Sequence, residues 1–286
     1  MSNRTFLFMP GNNPSMILNS DVLGSDVVIL DLEDSVSLDE KDSARILVRE
    51  ALKSLPFINS KVTVRINPTD SPYWRKDLEE IIPMNPYGIV IPKANKKSII
   101  WIEKEINNIS KFNTENNIYF YLLIEKPSDL IHIKEIVESS NRIKGILLGA
   151  EDYCSYMGIK RTKDSKEIEY ARFVIATTAK AYNLECVDTP FTDVDDLDGL
   201  KVDTEFAKAV GFSGKLSINP KHIDLINEIF SPSLEEIEYA KAIVEADKNA
   251  KEKGIGVFSF NGKMVDLPVV RRAEMIIDSA KKWSLL

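Results

Sequence analysis

Acidic and basic side chains stand at the ends of apolar runs in this sequence, or inside them. The run Gly145-Ile146-Leu147-Leu148 is followed at once by Glu151 and Asp152, and an earlier run ends in Glu125. Carboxylates without a neighbouring His or Cys are the ligands that a hard divalent cation such as Mg²⁺ prefers. Arg65 lies inside another apolar run, where it needs a buried anion or a place at an open site. Its planar guanidinium would bind a carboxylate through two hydrogen bonds.

The runs that carry these residues recur eight times along the chain. They read as continuous apolar segments, which is typical of strands covered on both faces. Longer stretches between them, such as 96–112 and 128–140, have the apolar spacing of helices. This alternation predicts a (β/α)8 TIM-type barrel, with an open doubly wound sheet as the alternative. The predicted strands are 5–10, 26–34, 62–67, 87–93, 118–125, 143–152, 184–190 and 214–219.

In a barrel of this kind the carboxyl ends of all strands meet at one mouth, where active sites lie. Nearly every predicted strand ends in polar residues, so the mouth would gather several carboxylates that repel one another unless cations are present. Any one of these residues could instead have a structural role as a helix cap or an ion-pair partner, and Lys93 could pair with a neighbouring acid. The polar strand ends are Asp31, Glu33, Asp34, Arg65, Asn67, Lys93, Glu125, Glu151, Asp152, Asp188, Thr189 and Asn219.

Residues 231–286 do not continue this alternation, so we expect a catalytic barrel over 1–230 followed by an extension. A capping box at Ser233 and Glu236 begins a helix that ends near Gly254. Asn261-Gly262 predicts a hairpin with a type I′ turn, and a final helix follows. The extension is either a structural appendage or a lid over a neighbouring subunit's mouth, in which case Asp266 is its acid–base candidate.

The composition excludes several classes of protein. A formal net charge of −7 over 286 residues argues against a broad nucleic-acid-binding face. No run of about 20 apolar residues predicts a membrane helix, and the first residues lack a signal-peptide pattern, so we expect a cytoplasmic protein. The two cysteines read as reduced thiols. No nucleotide-binding fingerprint is present. We interpret His132 and His222, both in predicted helical stretches, as structural.

The sequence resembles the beta-subunit branch of the HpcH/HpaI aldolase/citrate lyase family of metal-dependent lyases and aldolases. The resemblance runs almost from end to end and implies a TIM-type barrel assembled as a homotrimer or a multiple of one. It also implies Mg²⁺, with Mn²⁺ as the alternative, held by Glu125 and Asp152. The matching segments, in order, are RTFLFMPGNN, ILDLEDSVSLDEKDSAR, VRIN, IPK, LLIE, GAEDY, DTPFTD, GFSGKLSINPKHIDLIN and NGKMVD.

The chemistry implied by the resemblance is cleavage of a citryl thioester to oxaloacetate and an acetyl thioester. The thioester would be carried on an acyl carrier protein, or on coenzyme A, and the partners would include the alpha subunit of citrate lyase. Arg65 would bind a substrate oxygen and Asp266 would act as the acid–base group, with Glu33 as the runner-up or an orienting residue. Contacts to the phosphopantetheine arm are expected from Arg4, Lys41 and Arg45.

One departure from the family pattern concerns the turn after Glu125. The family has a small residue and then a Gly there, whereas this chain has Lys126 and Asp129. The substrate therefore stays open. A stand-alone citramalyl-CoA or malyl-CoA lyase is the first alternative, and a non-catalytic barrel assembly protein is the second.

Overall fold

Eight parallel strands close into a barrel in the computed structural model, which describes residues 3–109, 118–252 and 254–286. Each strand pairs with the next in sequence order, and β1 also pairs with β8 through Thr5 and Lys215. The predicted (β/α)8 barrel is therefore confirmed, and the open sheet is excluded. The strands are β1 (Thr5–Pro10), β2 (Val27–Asp31), β3 (Lys61–Arg65), β4 (Gly88–Ile91), β5 (Tyr119–Ile124), β6 (Ile143–Leu148), β7 (Glu185–Asp188) and β8 (Gly214–Ser217).

Helices follow the strands and cover the barrel wall. Their apolar faces pack on outward-pointing residues such as Leu30 and Val64, while Phe6, Tyr121 and Leu147 fill the interior. Alternate residues of a strand face opposite sides, so each strand serves both cores. The helices of this part are α1 (Pro14–Asn19), α2 (Lys41–Ser54), α3 (Trp74–Ile81), α4 (Lys96–Ile109), α5 (Pro127–Ile131), α6 (Ile133–Val137), α7 (Ala150–Met157), α8 (Glu169–Ala181), α9 (Leu197–Val210) and α10 (Ile223–Phe230).

Most predicted strand bounds differ from the observed ones by a few residues, and two expected elements differ more than that. The single helix expected over 128–140 is two short helices, because the backbone at His132 (φ −98°, ψ 14°) leaves the helical region. The strand expected over 143–152 ends at Leu148, and α7 begins at Ala150 because Gly149 has left the extended conformation. Helix α4 ends at Ile109, and the last residues predicted for it, 110–112, lie outside the described residues.

A buried ion cluster joins β7 and β8 to the helices outside them. Arg172 of α8 donates to both carboxylate oxygens of Asp188, at 2.9 and 2.8 Å, and to Asp203 of α9 at 2.7 Å. Lys215 donates to the same two carboxylates at 2.5 and 2.7 Å. Two cations meet two anions, so the cluster balances its charge away from water.

Contacts between Cα atoms divide the chain into two compact units, with the second beginning at Glu228. This second unit contains α11 (Leu234–Glu252), a hairpin of β9 (Phe258–Phe260) and β10 (Lys263–Val265), and α12 (Leu267–Lys282). The capping box is confirmed, since Ser233 and Glu236 exchange two hydrogen bonds. Positive φ angles at Asn261 and Gly262 agree with the predicted type I′ turn. Among the described residues, no helix is both long and apolar enough to cross a membrane.

Candidate active site

Arg65 and Asp31 form the best-fixed pair at the barrel mouth. The two residues are register partners at the carboxyl ends of β2 and β3. Arg65 Nε and Nη2 donate to the two oxygens of Asp31 at 2.6 and 2.7 Å, and the guanidinium also lies 4.7 Å from the Phe8 ring. Burial opposes the charge on Arg65, but Asp31 outweighs it and raises the pKa of the guanidinium. The mouth therefore holds a permanently charged cation in one orientation.

Glu33 connects this pair to the next strand. Its carboxylate lies 3.1 Å from Arg65 Nη1 and accepts a hydrogen bond from Lys93 Nζ at 3.0 Å. Burial raises the pKa of Glu33, with Asp34 adding to the effect and both cations opposing it. Lys93 follows β4, so the ion pairs run across three neighbouring strands. Glu33 orients two cations and is itself buried.

Lys93 also contacts Glu125 through its backbone. Its N–H donates to Glu125 Oε2 at 2.6 Å, while its own φ of 47° lies in the left-handed region. Non-glycine residues rarely adopt this conformation, and at functional sites the surrounding structure holds them in it. The backbone of Lys93 thus positions the carboxylate that ends β5.

The carboxyl groups of Glu125 and Asp152 line the same cavity and lie close enough for Asp152 to affect the pKa of Glu125. Burial, then the charge of Glu33, then Asp152 raise the pKa of Glu125 to about 8, against the N–H of Lys93. Gly149 makes the approach possible, because a Cβ there would lie 2.5 Å from Glu125 Cγ. The metal-site prediction placed Asp152 at a strand end. It lies instead in the first turn of α7, still at the carboxyl end of the barrel.

The adjacent Glu151 does not join this pair. Its exposed side chain turns away to Arg161, with 3.1 Å between Oε1 and Nε. The first turn of α7 is held by a hydrogen bond of 3.3 Å from the Ala150 N–H to Thr189 Oγ1. Of the two acids in GAEDY, the structure therefore brings only Asp152 to Glu125.

A cavity of about 380 Å³ opens above these residues. Its wall includes Arg65, Glu125 and Asp152 together with apolar side chains such as Leu216 and Ile218. Its size is in the range of small-molecule sites, and polar groups on an apolar wall are typical of them. The cavity can hold a small anionic substrate against one guanidinium and two carboxylates.

The donor set fits one Mg²⁺. Within the described residues no group of three or more His, Cys, Asp or Glu side chains forms a protein-only metal cage. Two carboxylates are nevertheless enough, because Mg²⁺ takes one or two from the protein and keeps oxygen ligands from water and substrate. Burial and neighbouring acids disfavour the ionisation of Glu125, and a cation bound beside it would stabilise its charged form.

None of the three basic residues expected at the pantetheine arm lines the cavity over Glu125 and Asp152. Arg4 precedes β1, at the opposite end of the barrel, and pairs with Asp26 at 2.9 Å. Lys41 is buried and donates to the backbone oxygens of residues 32 and 33. Arg45 is buried too and donates to Asp77 at 2.7 Å. All three support the fold.

Other polar strand ends have similar structural partners. Asp77 accepts two hydrogen bonds from Asn67, at 2.9 and 2.7 Å. Asp188 belongs to the buried cluster between sheet and helices, and Asn219 caps a short 3-10 turn. His222 ends that turn, fully buried, whereas His132 is exposed. None of these residues lines the cavity over Glu125 and Asp152.

The turn after Glu125 carries the two unusual residues. Lys126 precedes α5, and its ammonium lies 5.3 Å from the centre of the Tyr156 ring. Asp129 is buried in the first turn of α5, where burial raises the pKa of its carboxyl against the opposing charge of Lys126. Lys126 therefore places a positive charge near Asp129 in this turn.

Asp31 and Lys93 have a larger part in this geometry than the sequence analysis gave them. Both were recognised as polar strand ends, but the bidentate bond and the left-handed backbone depend on tertiary packing.

Asp266 lies in the second unit, between β10 and α12. There its side chain caps α12 by accepting a hydrogen bond of 3.3 Å from the Val269 N–H.

Comparison with known proteins places the chain among metal-dependent lyases. The profile of the family "HpcH/HpaI aldolase/citrate lyase" matches residues 4–220. The citrate lyase subunit beta of Leuconostoc mesenteroides subsp. cremoris is 38% identical over 280 residues, or 97% of this chain and 93% of that one. The mitochondrial citramalyl-CoA lyase of Rattus norvegicus is 30% identical over 97% of this chain and 86% of its own.

A solved structure of similar shape is that of the protein CitE from Mycobacterium tuberculosis, in complex with magnesium, acetoacetate and coenzyme A. It superimposes with a TM-score of 0.81 and 26% identity, covering 98% of both chains. The likeness therefore extends over the barrel and the residues that follow it.

Proposed function

Because the chain belongs to the HpcH/HpaI aldolase/citrate lyase family, we propose that it cleaves a citryl thioester into oxaloacetate and an acetyl thioester, as the beta subunit of a citrate lyase. The single observation that carries the proposal is that the buried Glu125 and the half-buried Asp152 line one cavity with Arg65, with Asp152 close enough to raise the pKa of Glu125. A metal site of two carboxylates next to a fixed guanidinium suits a substrate with several carboxylates and a hydroxyl group. That hydroxyl must lose its proton during the cleavage.

Glu125 and Asp152 are the residues that would hold Mg²⁺. When bound there, the ion supplies Lewis acidity to the carbinol oxygen and an adjacent carboxylate of the substrate. The chain itself determines where these ligands point, because the Lys93 N–H fixes Glu125 and the first turn of α7 fixes Asp152. Rigid ligands of this kind orient a substrate before the reaction begins.

Arg65 supplies positive charge where anionic oxygen develops. A guanidinium has five N–H donors. Within the described residues, Asp31 takes two of them, and Nη1 lies 3.1 Å from Glu33 and 3.5 Å from Asp34, which leaves the second N–H of Nη2 for a substrate oxygen. A preorganised donor of this type typically lowers the barrier by about 3–4 kcal/mol. Asp31 keeps the donor in place during the reaction.

Asp266 is the proposed acid–base group. As the bond between the carbinol carbon and the CH₂ breaks, the hydroxyl proton leaves and the CH₂ carbon later takes up a proton. A positioned carboxyl group that moves these protons contributes about 10² to 10⁴ in rate. The resemblance to thioester lyases supports Asp266 acting on the site of a neighbouring subunit. Glu33, buried between Arg65 and Lys93, fits an orienting role better than proton transfer.

The partners belong to the same proposal. We infer that the thioester is carried on an acyl carrier protein, that the alpha subunit supplies it, and that the chain works in the cytoplasm as a trimer or a multiple of one. The 38% identity to a citrate lyase beta subunit supports these partners. The 30% identity to a citramalyl-CoA lyase keeps coenzyme A thioesters as the competing substrates.

An assay of the purified chain with Mg²⁺ tests the proposal. The substrates are carrier-bound citrate, citryl-CoA, citramalyl-CoA and malyl-CoA, and the products are followed as oxaloacetate, pyruvate or glyoxylate. We expect the highest kcat/KM with the citryl thioesters. A preference for citramalyl-CoA or malyl-CoA would replace the proposed substrate. An absence of both turnover and Mg²⁺ binding would favour a non-catalytic barrel protein.

A further inference from the structure

Helix α4 exposes large apolar side chains on the face that is turned away from the barrel. Ile100 is 48% exposed and Trp101 is 39% exposed, whereas three other isoleucines of the same helix are fully buried. A lysine lies three residues before this pair and another three residues after it, so the four side chains form one line along the helix. We call this line the α4 ridge. Its residues are Lys97, Ile100, Trp101 and Lys104.

The acidic residues of α4 do not neutralise the ridge. Glu103 lies 3.7 Å from Arg142, and Glu105 lies 4.0 Å from Arg75 of α3. Both acids are thus paired with groups beside the helix. In the part of the chain that the structure describes, neither ridge lysine forms an ion pair with a carboxylate. The ridge therefore presents two positive charges to the solvent, although the net charge of the chain is −7.

Trp101 is the type of residue that anchors a protein interface. Tryptophan is enriched among the residues that contribute most of the binding free energy, and charged residues surround such anchors at the polar rim. Lys97 Nζ lies 4.4 Å from the centre of the Trp101 ring, so the ammonium and the ring form one continuous surface. A partner helix with apolar side chains towards Trp101 and carboxylates towards the lysines would match this ridge.

The ridge begins beside the mouth of the barrel. Helix α4 follows β4, so its first turn lies at the carboxyl ends of the strands. Lys97 and Trp101 line a cavity of about 350 Å³ together with Lys93, whose N–H donates to Glu125. From Lys97 to Lys104 the ridge runs about 10 Å along the outside of the barrel. A protein bound to it would lie next to the active site without filling it.

We propose that the α4 ridge binds an acidic helix of the acyl carrier protein that delivers the thioester. This rests on the proposed function, which requires such a carrier. The thioester must reach the mouth while the carrier itself stays outside, and the ridge combines positive charge, an apolar anchor and a place at the rim. A chain of net charge −7 repels an acidic protein over much of its surface, so a local cationic ridge also selects the face on which the carrier docks.

The test changes the part of the ridge that lies outside the cavity. Ile100→Ser/Lys104→Glu removes one apolar contact and reverses one charge, and neither residue lines the cavity beside the mouth. The wild type and this ridge variant are assayed with carrier-bound citrate and with citryl-CoA. We expect kcat/KM for the carrier-bound substrate to fall at least about tenfold, because the docking contacts are lost. The value for citryl-CoA should not change, because coenzyme A brings no protein to the ridge.

The matched control is Ile46→Ser/Lys53→Glu on α2. Ile46 is 50% exposed, close to the value for Ile100, and Lys53 is exposed as well. This variant should leave both kcat/KM values unchanged. A loss for the carrier-bound substrate that is as large in the control as in the ridge variant would overturn the proposal. An equal loss for citryl-CoA in the ridge variant would overturn it too, since the ridge would then act on the active site.

Sedimentation velocity tests whether a second copy of this chain covers the ridge instead. The ridge variant and the wild type should have the same molecular mass in solution. Dissociation of the oligomer in the ridge variant would make the ridge a subunit interface, which would overturn the docking of a carrier there.

Binding of the apo carrier, which has no arm, separates the surface from the reaction. In a titration followed by fluorescence anisotropy of the labelled apo carrier, the wild type should bind about tenfold more tightly than the ridge variant. High salt should reduce this difference, because the exposed charges are screened. If this ridge-dependent binding occurs but no citryl thioester is cleaved, the proposed reaction fails and the docking surface stands.

Two further outcomes count against the surface alone. Cleavage of carrier-bound citrate with the same kcat/KM by the wild type and the ridge variant would mean that the surface fails and the reaction stands. Apo carrier that does not bind to the wild type at low salt would overturn the docking surface as well.

Discussion

The backbone N–H of Lys93 donates to Oε2 of Glu125 across 2.6 Å, from a residue whose φ is 47°. This hydrogen bond favours the charged form of Glu125, against burial and the neighbouring acids, which together raise its pKa to about 8. The left-handed backbone at Lys93 therefore contributes to the proposed metal site independently of its ammonium group. Only a substitution that separates backbone from side chain can show this.

Lys93→Asn and Lys93→Val make that separation. Both remove the ammonium, but Asn tolerates the left-handed region and β-branched Val does not. We expect Lys93→Asn to bind Mg²⁺ more tightly than Lys93→Val by about tenfold, from a backbone cost of roughly 1–2 kcal/mol. Calorimetric titration with Mg²⁺ measures the difference. Equal affinities in the two variants would show that the backbone conformation does not matter.

Glu125→Gln and Asp152→Asn should abolish Mg²⁺ binding and turnover. Each removes one of the two carboxylates, so the loss should exceed the roughly 10- to 100-fold typical of residues that only support a ligand. Titration with Mn²⁺ followed by electron paramagnetic resonance reports binding without turnover. Glu151→Gln is the control, because its exposed side chain pairs with Arg161 and should be dispensable. Turnover by Glu125→Gln in chelator-treated buffer would contradict the assignment.

Gly149→Ala should weaken the same site through sterics alone. The φ of Gly149, −98°, is accessible to alanine, but the new Cβ would lie 2.5 Å from Glu125 Cγ. We expect weaker Mg²⁺ binding and a loss of about 1–3 kcal/mol in the free energy of unfolding. Gly256→Ala is the control, since a Cβ there meets no atom of the described residues within 4 Å. Wild-type metal affinity in Gly149→Ala would mean that Glu125 can move aside.

The barrel was predictable because each strand is an apolar run with its own turn and helix. Strand β1 matches its predicted bounds, 5–10, residue for residue. The break in the helix at His132 was not predictable, since the residues on both sides of it keep helical spacing. Periodicity reports which face is buried, and it does not report where the backbone between two turns departs from the helix.

The site was partly predictable for a related reason. Residue types at strand ends indicated Arg65, Glu125 and Asp152, and the structure brings these three to one cavity. Partners distant in sequence were not visible, so Arg45 was assigned to a substrate arm although Asp77, 32 residues away, binds it. Charge alone does not tell a ligand-binding cation from one that is neutralised within the fold.

The buried ion cluster predicts an acid-sensitive fold. Burial opposes the charge of Asp203, but Lys215 and then Arg172 outweigh it and lower the pKa of its carboxyl. A folded-state pKa below the unfolded value of about 3.9 means that the stabilisation is present above that pH. It is lost as the pH falls further, toward the folded-state value.

Asp203→Asn should therefore lose about 3–5 kcal/mol of unfolding free energy at pH 7, because one buried cation is left without its partner. The difference in unfolding free energy between Asp203→Asn and the wild type should narrow as the pH falls below about 4. Urea unfolding at a series of pH values measures both effects. Neighbours of the cluster's strand residues, Val187 and Leu216, face the barrel interior, so the cluster itself faces the helices. Mg²⁺ binding should then be unchanged at pH 7.

Glu205→Gln, an exposed change on the same helix α9, is the control for Asp203→Asn. It should stay within about 0.5 kcal/mol of the wild type at each pH. A constant gap between Asp203→Asn and the wild type from pH 7 to pH 2 would mean that the carboxylate charge is not what stabilises the cluster.

Asp266 and Arg65 should complement each other across subunits if the proposed acid–base residue serves a neighbouring site. Asp266→Asn should lower kcat by about 10² to 10⁴ with little change in KM, since it removes proton transfer and leaves the substrate contacts. Arg65→Ala should lower kcat/KM through the lost oxyanion contact.

Mixing the two inactive variants under conditions that exchange subunits decides where Asp266 acts. A mixed oligomer that combines an intact Arg65 with an Asp266 from another chain should recover part of the wild-type kcat. If the variants are mixed equally, and each site takes Arg65 from one chain and Asp266 from another, random assembly leaves both residues intact in about a quarter of all sites. A mixture of Asp266→Asn with itself, carried through the same exchange, is the control. Full oligomer exchange without recovery would require Asp266 to act within its own chain, or not to act in proton transfer at all.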